Sequence, residues 1–305
     1  MWFKNARIYN VNYSEISGFF TDETKLEEAL EQTAFQPCKS QEVSSIGFAP
    51  LFGPDSAYCY RHENSFFCKL LEENKLLPAS VIKNELQNQI MQREAELQRN
   101  ISKNEREALK TAIQNQLLAK AFTTRREMLI WMNTATNMIV VGASSAKRAE
   151  KGLAMLRQAL SSFPAKVPQP RCVVEDRMTA WLTTPEELPS QFELGTDTIL
   201  KSQDDDGGVI RASREDLTSE EIAVHIHSGK VSTEVQVVYD DALSLVLGAD
   251  LSMKRIKPLD QYLEKNLPEK SDDERADMQS YLIIQGQLFT SLCELLMEIF
   301  DCDRQ

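Results

Sequence analysis

Three consecutive aspartates followed by two glycines form the densest group of metal-type ligands in the sequence, Asp204-Asp205-Asp206-Gly207-Gly208. Carboxylates so close together could hold Mg²⁺ or Ca²⁺. The spacing does not fit the EF-hand loop, because the fifth and sixth positions of that loop would fall on Gly208 and Val209. A turn of Asp and Gly that leads into a short strand is the favoured interpretation.

His225 and His227 are a second pair with ligand-type side chains. Thr218 and Glu221 have the spacing of a capping box, so this segment is predicted to be helical, and residues two apart on a helix point to different faces. A metal site would also need a third ligand, and none is near in sequence. With His62 as the one remaining histidine, acid–base chemistry would need carboxylates or lysines, and no paired set is identifiable.

The sequence contains no GxxxxGK[ST], GxGxxG or GxSxG motif. These motifs would indicate a phosphate-binding loop, a dinucleotide site and a hydrolase nucleophile. We therefore predict a protein without a catalytic site, a cofactor or a metal, which acts by binding.

Charge is distributed unevenly along the chain. The net charge is −12, yet residues 80–160 hold 13 Lys and Arg against 7 Asp and Glu, a local balance of +6. Residues 1–79 count 7 against 11 and residues 161–305 count 14 against 28, so the flanks carry −4 and −14. A functional interpretation has to explain this basic middle segment.

Two helices are predicted in the basic segment, roughly 79–100 and 104–119. Pro78 can begin the first without losing a needed N–H group, and both Ser102 with Glu105 and Asn104 with Glu107 could form the capping box of the second. The apolar positions that recur at helical spacing are Ile82, Leu86, Ile90 and Leu97, then Leu109, Ile113 and Leu117. Both stripes are narrow, so we expect a projecting arm with much of its circumference in water.

Basic residues lie along this arm and its junction with the next strands: Arg99, Lys103, Arg106, Lys110, Lys120, Arg125 and Arg126. Two interpretations stay open, a solvated helix face of alternating charge or a surface that neutralises nucleic-acid phosphates. The net charge of −12 fits the second if the cations line a concave or enclosed surface. Phe122, at the same junction, is either a core residue at the start of a strand or an exposed contact.

The rest of the sequence predicts an α+β fold of two units with antiparallel sheets. The predicted strands are 2–11, 66–71, 128–132, 138–141, 209–212, 231–239 and 243–247. The predicted helices are 22–33, one capped by Ser144 or Ser145, and a long final helix capped by Ser271 with Glu274. Residues 1–77 with 120–165 would form one unit, 78–119 the arm and 166–305 the second unit.

The compartment is predicted from what the sequence lacks. No signal-type apolar region follows Met1, and no apolar run approaches the roughly 18 residues of a membrane span. The six cysteines have no CxxC spacing, as expected for free thiols in a reducing cytosol. We expect a soluble cytoplasmic protein with no membrane partner.

Several segments resemble the RdgC family of bacterial recombination-associated proteins, in order along almost the whole chain. They are Trp2–Asn5, Ala34–Cys38, Ser40-Gln41, Leu77–Lys83, Ala121-Phe122, Trp131, Ala143–Lys147, Asp206–Ala212 and Asp216–Ile222. The resemblance implies a ring-shaped homodimer whose positive central hole encircles duplex DNA with little sequence preference, with single-stranded DNA as a further ligand. It also implies a nucleoid location and a role in recombination and replication. In this role the protein would restrain the RecA recombinase by occupying the DNA.

The resemblance also implies roles for particular residues. Phe122 would be the apolar contact of a ring-closing interface, with Arg99 and Lys120 as basic positions of the arm. A second gate element would follow Ala212, with Arg214 as its basic residue. This chain departs there from the family pattern, with Ser213 where Lys can occur and Glu215 where a neutral polar residue can occur. Arg211 and Lys230 are implied candidates for the DNA-lining surface.

Two alternatives stay open. A metal-dependent nuclease would use Asp204, Asp205 and Asp206 as ligands. An adaptor would use its acidic surface to mimic DNA and bind recombination proteins directly.

Overall fold

The computed structural model describes residues 2–204 and 207–303. Its strands are β1 (Arg7–Val11), β2 (Ser44–Ala49), β3 (Cys59–His62), β4 (Ser65–Lys75), β5 (Thr123–Asn133), β6 (Met138–Val141), β7 (Ala165–Lys166), β8 (Phe192–Ser202), β9 (Val209–Ser213), β10 (Lys230–Tyr239), β11 (Leu243–Gly248) and β12 (Met253–Pro258). Its α-helices are α1 (Ser17–Thr21), α2 (Glu23–Gln32), α3 (Ala79–Leu97), α4 (Lys103–Lys120), α5 (Ala146–Leu160), α6 (Val174–Thr183), α7 (Glu220–His227), α8 (Asp260–Asn266) and α9 (Glu274–Ile299). The predicted α+β class is confirmed.

The first sheet has the order β2-β4-β5-β6-β1-β7, with β3 paired to β4, and every pair is antiparallel. Alternate residues of its strands face opposite sides. Phe66 and Ile130 pack with α2 and α5 on one side, whereas Phe67 and Trp131 belong to a separate core on the other. The predicted cap of α5 is Ser145, whose hydroxyl accepts the Arg148 N–H.

The second sheet has the antiparallel order β12-β11-β10-β8-β9. The predicted hairpin is confirmed by the pairing of Val235 with Leu247 and of Tyr239 with Leu243. Asp240 and Asp241 form its turn with φ of 47° and 50°. Two consecutive residues in the left-handed backbone conformation match the twist of the paired strands. Short hairpin turns favour Asp and Asn at these two positions because both residues tolerate that conformation.

The helix α9 lies in the core shared by the two sheets. Leu288, Leu292 and Leu296 are buried with Trp131 of the first sheet and Val235 of the second. By length and composition α9 could span a membrane, contrary to the expectation that no segment would. Since 56% of its most apolar window is buried inside the fold, it also meets the description of a core helix.

The N-terminal segment joins the two sheets. Residues 2–11 were expected to form one strand, but β1 begins only at Arg7. The backbone of Ala6 exchanges both hydrogen bonds with Met253, so the residues before Arg7 leave the first sheet and pair beside β12. The long-range pairing of Ala6 with Met253 therefore determines where β1 begins.

Two predicted helix caps were wrong by one or two residues. The N-cap of α7 is Ser219, and Thr218 instead binds the carboxylate of Asp216. The N-cap of α9 is Asp273, whose carboxylate accepts the N–H groups of Arg275 and Ala276. In both places an aspartate near the predicted cap accepts backbone N–H groups, from Thr218 before α7 and from Arg275 and Ala276 at the start of α9.

Candidate nucleic-acid interface

The arm leaves the body at the end of the long β4–β5 ribbon. The last pair of this ribbon is Lys75 with Thr123, and α3 and α4 form the helical hairpin between them. The Lys75 ammonium donates to three carbonyl oxygens, those of Lys39, Ser40 and Leu118. Because Leu118 lies in the last turn of α4, the lysine fixes the arm to the body; we call this junction the arm root.

The arm has a small hydrophobic core of its own. Leu86, Leu109 and Ile113 are buried, and Ile90, Ile101 and Leu117 pack against them. The two predicted helices are confirmed, and their apolar stripes face each other except at Leu97, which is 50% exposed at the end of α3. Of the two candidate capping boxes, the one made by Ser102 and Glu105 is present. With Leu118, the two arm helices contain four buried residues, and most of their other side chains are in water.

A basic groove runs between α3 and α4. It forms an open cavity of about 790 Å³, lined by Lys83, Lys103, Arg106, Lys110, Ile82, Leu86, Ala79, Glu107 and Gln114. Its basic residues outnumber its acidic one by four to one. Glu107 lies 4.0 Å from the Lys110 ammonium, a long surface contact that neutralises little. We call these nine residues the arm groove; the sequence interpretation included three of its cations and missed Lys83.

Arg99 lies at the tip of the arm and has a structural partner. Its guanidinium donates two hydrogen bonds, of 2.7 and 3.1 Å, to the carboxylate of Glu105. This bond, together with those from Ser102, lowers the pKa of Glu105 to about 2. Glu94 also accepts the Ile101 N–H, so the turn between the helices is held at several points. Arg99 was predicted to bind DNA, but its guanidinium is already paired with Glu105.

Arg125 and Arg126 are neighbours on β5 with different surroundings. The Arg125 Nε lies 3.0 Å from Glu73, a residue 3% exposed, and its guanidinium sits 5.5 Å from the Phe35 ring centre. Arg126 is exposed, and no ion pair of it occurs among the described residues. Since consecutive residues of a strand face opposite sides of the sheet, Arg125 and Arg126 lie on different surfaces.

Glu72 also lies at the arm root and is 5% exposed. Burial acts to raise its pKa, but hydrogen bonds and attraction from Lys151, together with Asn74 and Arg148, outweigh burial and the net pKa is lowered. Glu72 is therefore a buried carboxylate that holds cations of α5. The sequence interpretation missed Glu72 and Glu73, and two adjacent acids in an otherwise apolar strand were the available signal.

Phe122 is exposed by 85%, so the interpretation as a core residue was wrong. The Leu76 N–H donates to the Phe122 carbonyl at 2.7 Å, and the Lys75 N–H donates to that of Val43. Leu76 and Val43 are themselves 52% and 64% exposed. Three apolar residues on neighbouring segments thus lie uncovered at the arm root, near the exposed Lys120.

The segment after β9 contains the second predicted gate element. Arg214 has φ of 61°, a left-handed conformation unusual for a residue other than glycine, Asn or Asp. Asp197 holds this turn, because its carboxylate accepts the Ser213 hydroxyl at 3.0 Å and the Arg214 N–H at 3.2 Å. The same carboxylate pairs with Arg255 at 2.7 Å. Arg214 and Glu215 remain exposed.

Asp197 is a positioning residue that the sequence interpretation missed. Burial acts to raise its pKa, but the bonds from Arg214, Ser213 and Arg255 prevail and the pKa is lowered. The carboxylate therefore stays ionised at neutral pH. Arg211 is exposed on β9, and Lys230 is half-buried at the start of β10.

Within residues 2–204 and 207–303, the residues considered as metal ligands are not brought together. The described residues contain no group of three or more His, Cys, Asp or Glu side chains able to hold a metal ion. His225 and His227 lie in the last turn of α7, the expected helical context. Asp205 and Asp206, two of the three proposed nuclease ligands, lie outside the described residues.

Comparison with known proteins gives consistent matches over the whole chain. Residues 1–302 match a protein family described as "Putative exonuclease, RdgC". A recombination-associated protein RdgC of Yersinia enterocolitica is 34% identical over 306 residues, covering 100% of this chain and 99% of that protein. Those of Serratia proteamaculans and Shewanella loihica are 37% and 32% identical, covering 90% and 98% of this chain and 89% and 97% of their own lengths.

Proposed function

The chain belongs to the RdgC family, and from this premise we propose that it binds duplex DNA without sequence preference and acts in recombination. Its relatives are named recombination-associated proteins. The observation that carries the DNA-binding part is the arm groove, where four cations meet one weakly paired carboxylate. Lys and Arg on such a surface bind phosphates and release counterions, which requires no base contacts.

We further propose that two copies close a ring around the duplex. Phe122, Leu76 and Val43 form an exposed apolar surface beside the arm, the type of contact that excludes water between subunits. The turn that Asp197 holds presents Arg214 and Glu215 as the second contact. The acidic remainder of the chain would lie outside the ring, where it repels DNA and favours the lumen.

In this mechanism the protein restrains the RecA recombinase by occupying DNA. Binding is proposed to need no metal, no cofactor and no bond cleavage. Single-stranded DNA would bind the same cations more weakly, because its charge density along the axis is lower. A nucleoid location in the cytoplasm follows from the proposed ligand.

Ring closure can be tested by topology. The protein is bound at low salt to a covalently closed circular duplex and to the same duplex made linear, and both complexes are then moved to high salt. An encircling dimer is expected to stay on the circle and slide off the free ends of the linear form. Equal loss from both would show that the protein binds DNA without encircling it.

The description of the family as an exonuclease makes cleavage the second function to test. A duplex labelled at its 5′ ends is incubated with the protein and Mg²⁺ or Mn²⁺. We expect intact DNA. Metal-dependent shortening that Asp205→Ala abolishes would contradict the binding mechanism and support the nuclease, whereas RecA inhibition by a variant unable to bind DNA would support the acidic adaptor.

A further inference from the structure

A second basic cavity lies beside the arm root, in the body. Its volume is about 380 Å³, and its walls are the N-terminal segment Trp2–Asn5, the β4–β5 ribbon and the loop from Gly142 to Ser144 that leads into α5. Its charged lining residues are Lys4, Lys69, Arg126, Arg148 and Glu127. We call it the body cavity; its lining holds four cations and one carboxylate, and Arg148 also lies 3.8 Å from Glu72 outside the lining.

Two of these cations are held in place by the protein. The Lys69 ammonium lies 3.2 Å from Glu127 Oε1 and donates to the Leu51 carbonyl at 3.3 Å. The Arg148 Nη2 donates to the Glu127 carbonyl at 3.0 Å. Their positions are thus set before any ligand arrives, which reduces the entropy lost on binding.

The other two cations are available to a ligand. Lys4 and Arg126 are exposed, and neither forms an ion pair within residues 2–204 and 207–303. The indole N–H of Trp2, also in the lining, is buried and lacks an acceptor in the same part of the chain. The two exposed cations therefore give the body cavity a surplus of positive charge.

The helix α5 adds to this surplus. Ser144 lines the cavity, and α5 begins two residues later at Ala146 and continues for 15 residues. The N-terminus of a helix carries a partial positive charge and unpaired N–H groups, which favour an anion. At Gly142 a Cβ atom would lie 2.8 Å from the Leu129 carbonyl, so only glycine lets the loop approach β5 this closely.

We propose that the body cavity binds a phosphate group. Its donors come from three separate chain segments, which suits an anion with acceptor oxygens on several sides better than a planar carboxylate. The group can be a phosphodiester of the bound duplex, in which case the inference rests on the proposed function, or a free phosphate or phosphomonoester, in which case it does not. The chemistry at the site is the same.

The first measurement uses inorganic phosphate without DNA. Isothermal titration at constant ionic strength is expected to show binding to the wild type and at least tenfold weaker binding to Arg126→Gln and to Lys4→Gln. Lys166→Gln is the matched control, because Lys166 is exposed on β7, the edge strand that lies three strands away from β5 in the same sheet. It is expected to bind phosphate like the wild type, and unchanged thermal unfolding verifies that each variant is folded.

The second measurement identifies the source of the phosphate. If the duplex supplies it, Arg126→Gln lowers the salt slope of duplex binding by about 1 for each phosphate that is no longer bound, and Lys166→Gln does not. If Arg126→Gln abolishes phosphate binding but leaves duplex binding intact, the site serves a free phosphate. Phosphate binding by a protein that binds no duplex would refute the proposed function and support the cavity.

One combination would overturn the inference. In this combination the wild type does not bind phosphate, and Arg126→Gln binds the duplex with the same affinity and the same salt slope as Lys166→Gln. Lys69 and Arg148 would then serve only their contacts within the protein, and Lys4 and Arg126 would be solvated surface cations.

Discussion

The arm groove and the arm root carry basic residues in similar number, but in different surroundings. In the groove, Lys103 and Arg106 face water beside one carboxylate 4.0 Å from its nearest cation. At the root, Arg125 binds Glu73 and Lys151 binds Glu72, and both carboxylates are buried. The difference shows that a count of Lys and Arg does not separate a binding surface from a structural network.

Burial of the acidic partner decides which role a cation has. A buried carboxylate has lost its hydration, so its cation is needed for stability. A cation beside solvated neighbours exchanges water and counterions for a phosphate at small cost. We therefore expect substitutions at the root to affect folding and those in the groove to affect binding.

The largest expected effect is on stability at the root. Glu72→Ala removes the buried carboxylate that holds Lys151 and Arg148, and should lower the free energy of unfolding by about 3 kcal/mol. Urea unfolding measures it. The control is Glu150→Ala, which breaks an exposed pair with Arg157 and should cost less than about 0.5 kcal/mol. If both variants lose equally little free energy of unfolding, the ion pairs at the root do not stabilise the fold.

The next effect is on DNA affinity. Replacing Lys103, Arg106 and Lys110 together by Gln should weaken duplex binding about 100-fold at low salt, for all sequences alike, because three cations that neutralise phosphates are removed. Fluorescence anisotropy measures the affinity, and the free energy of unfolding in urea should change by less than about 1 kcal/mol. A stability loss as large as that of Glu72→Ala would erase the distinction between groove and root.

A smaller effect is expected on self-association. Phe122→Ala should weaken the dimer at least tenfold, since aromatic residues at the centre of interfaces contribute most, and should leave unfolding of the subunit unchanged because the ring is exposed. Sedimentation velocity over a concentration series measures it. Val224→Ala, at another exposed apolar residue, is the control. Identical dissociation of both variants would remove Phe122 from the interface.

The smallest effect concerns the arm tip and pH. The pKa of Glu105 is lowered to about 2 by Arg99 and Ser102, from 4.5 in the unfolded chain. A lowered pKa stabilises the fold above the unfolded value, and the stabilisation is lost as pH falls from about 4.5 towards 2. The protection factors of the tip amides, which are the exchange rates corrected for their intrinsic pH dependence, should fall over this window in the wild type but not in Glu105→Gln. The same profile in both would exclude the pair as its cause.

The local parts of the fold could be predicted from the sequence. The arm helices follow from apolar spacing and from Ser102 with Glu105, which act within a few residues of each other. The hairpin around Asp240 follows for the same reason. The start of β1 could not be predicted, because it depends on Ala6 pairing with Met253 from the other half of the chain.

The candidate site was predictable as a charged segment but not as a set of roles. In the sequence, nothing distinguishes the roles of four arginines in the basic segment, which are Arg99, Arg106, Arg125 and Arg126. The structure separates them by their partners, since Arg99 has Glu105 and Arg125 has Glu73. Such partners lie six residues away in one case and on another strand in the other, and only the fold shows which acid is near.

Duplex binding by the arm groove is tested most directly by a salt series. Binding of a labelled duplex of scrambled sequence is measured by anisotropy without metal, for the wild type and the triple Gln variant of the arm groove. If about 6 phosphates are neutralised, the log–log slope should be near −5 for the wild type and shallower by about 0.9 for each phosphate that the variant no longer binds. Equal slopes, or no binding by the wild type at low salt, would contradict the assignment of the arm groove to DNA.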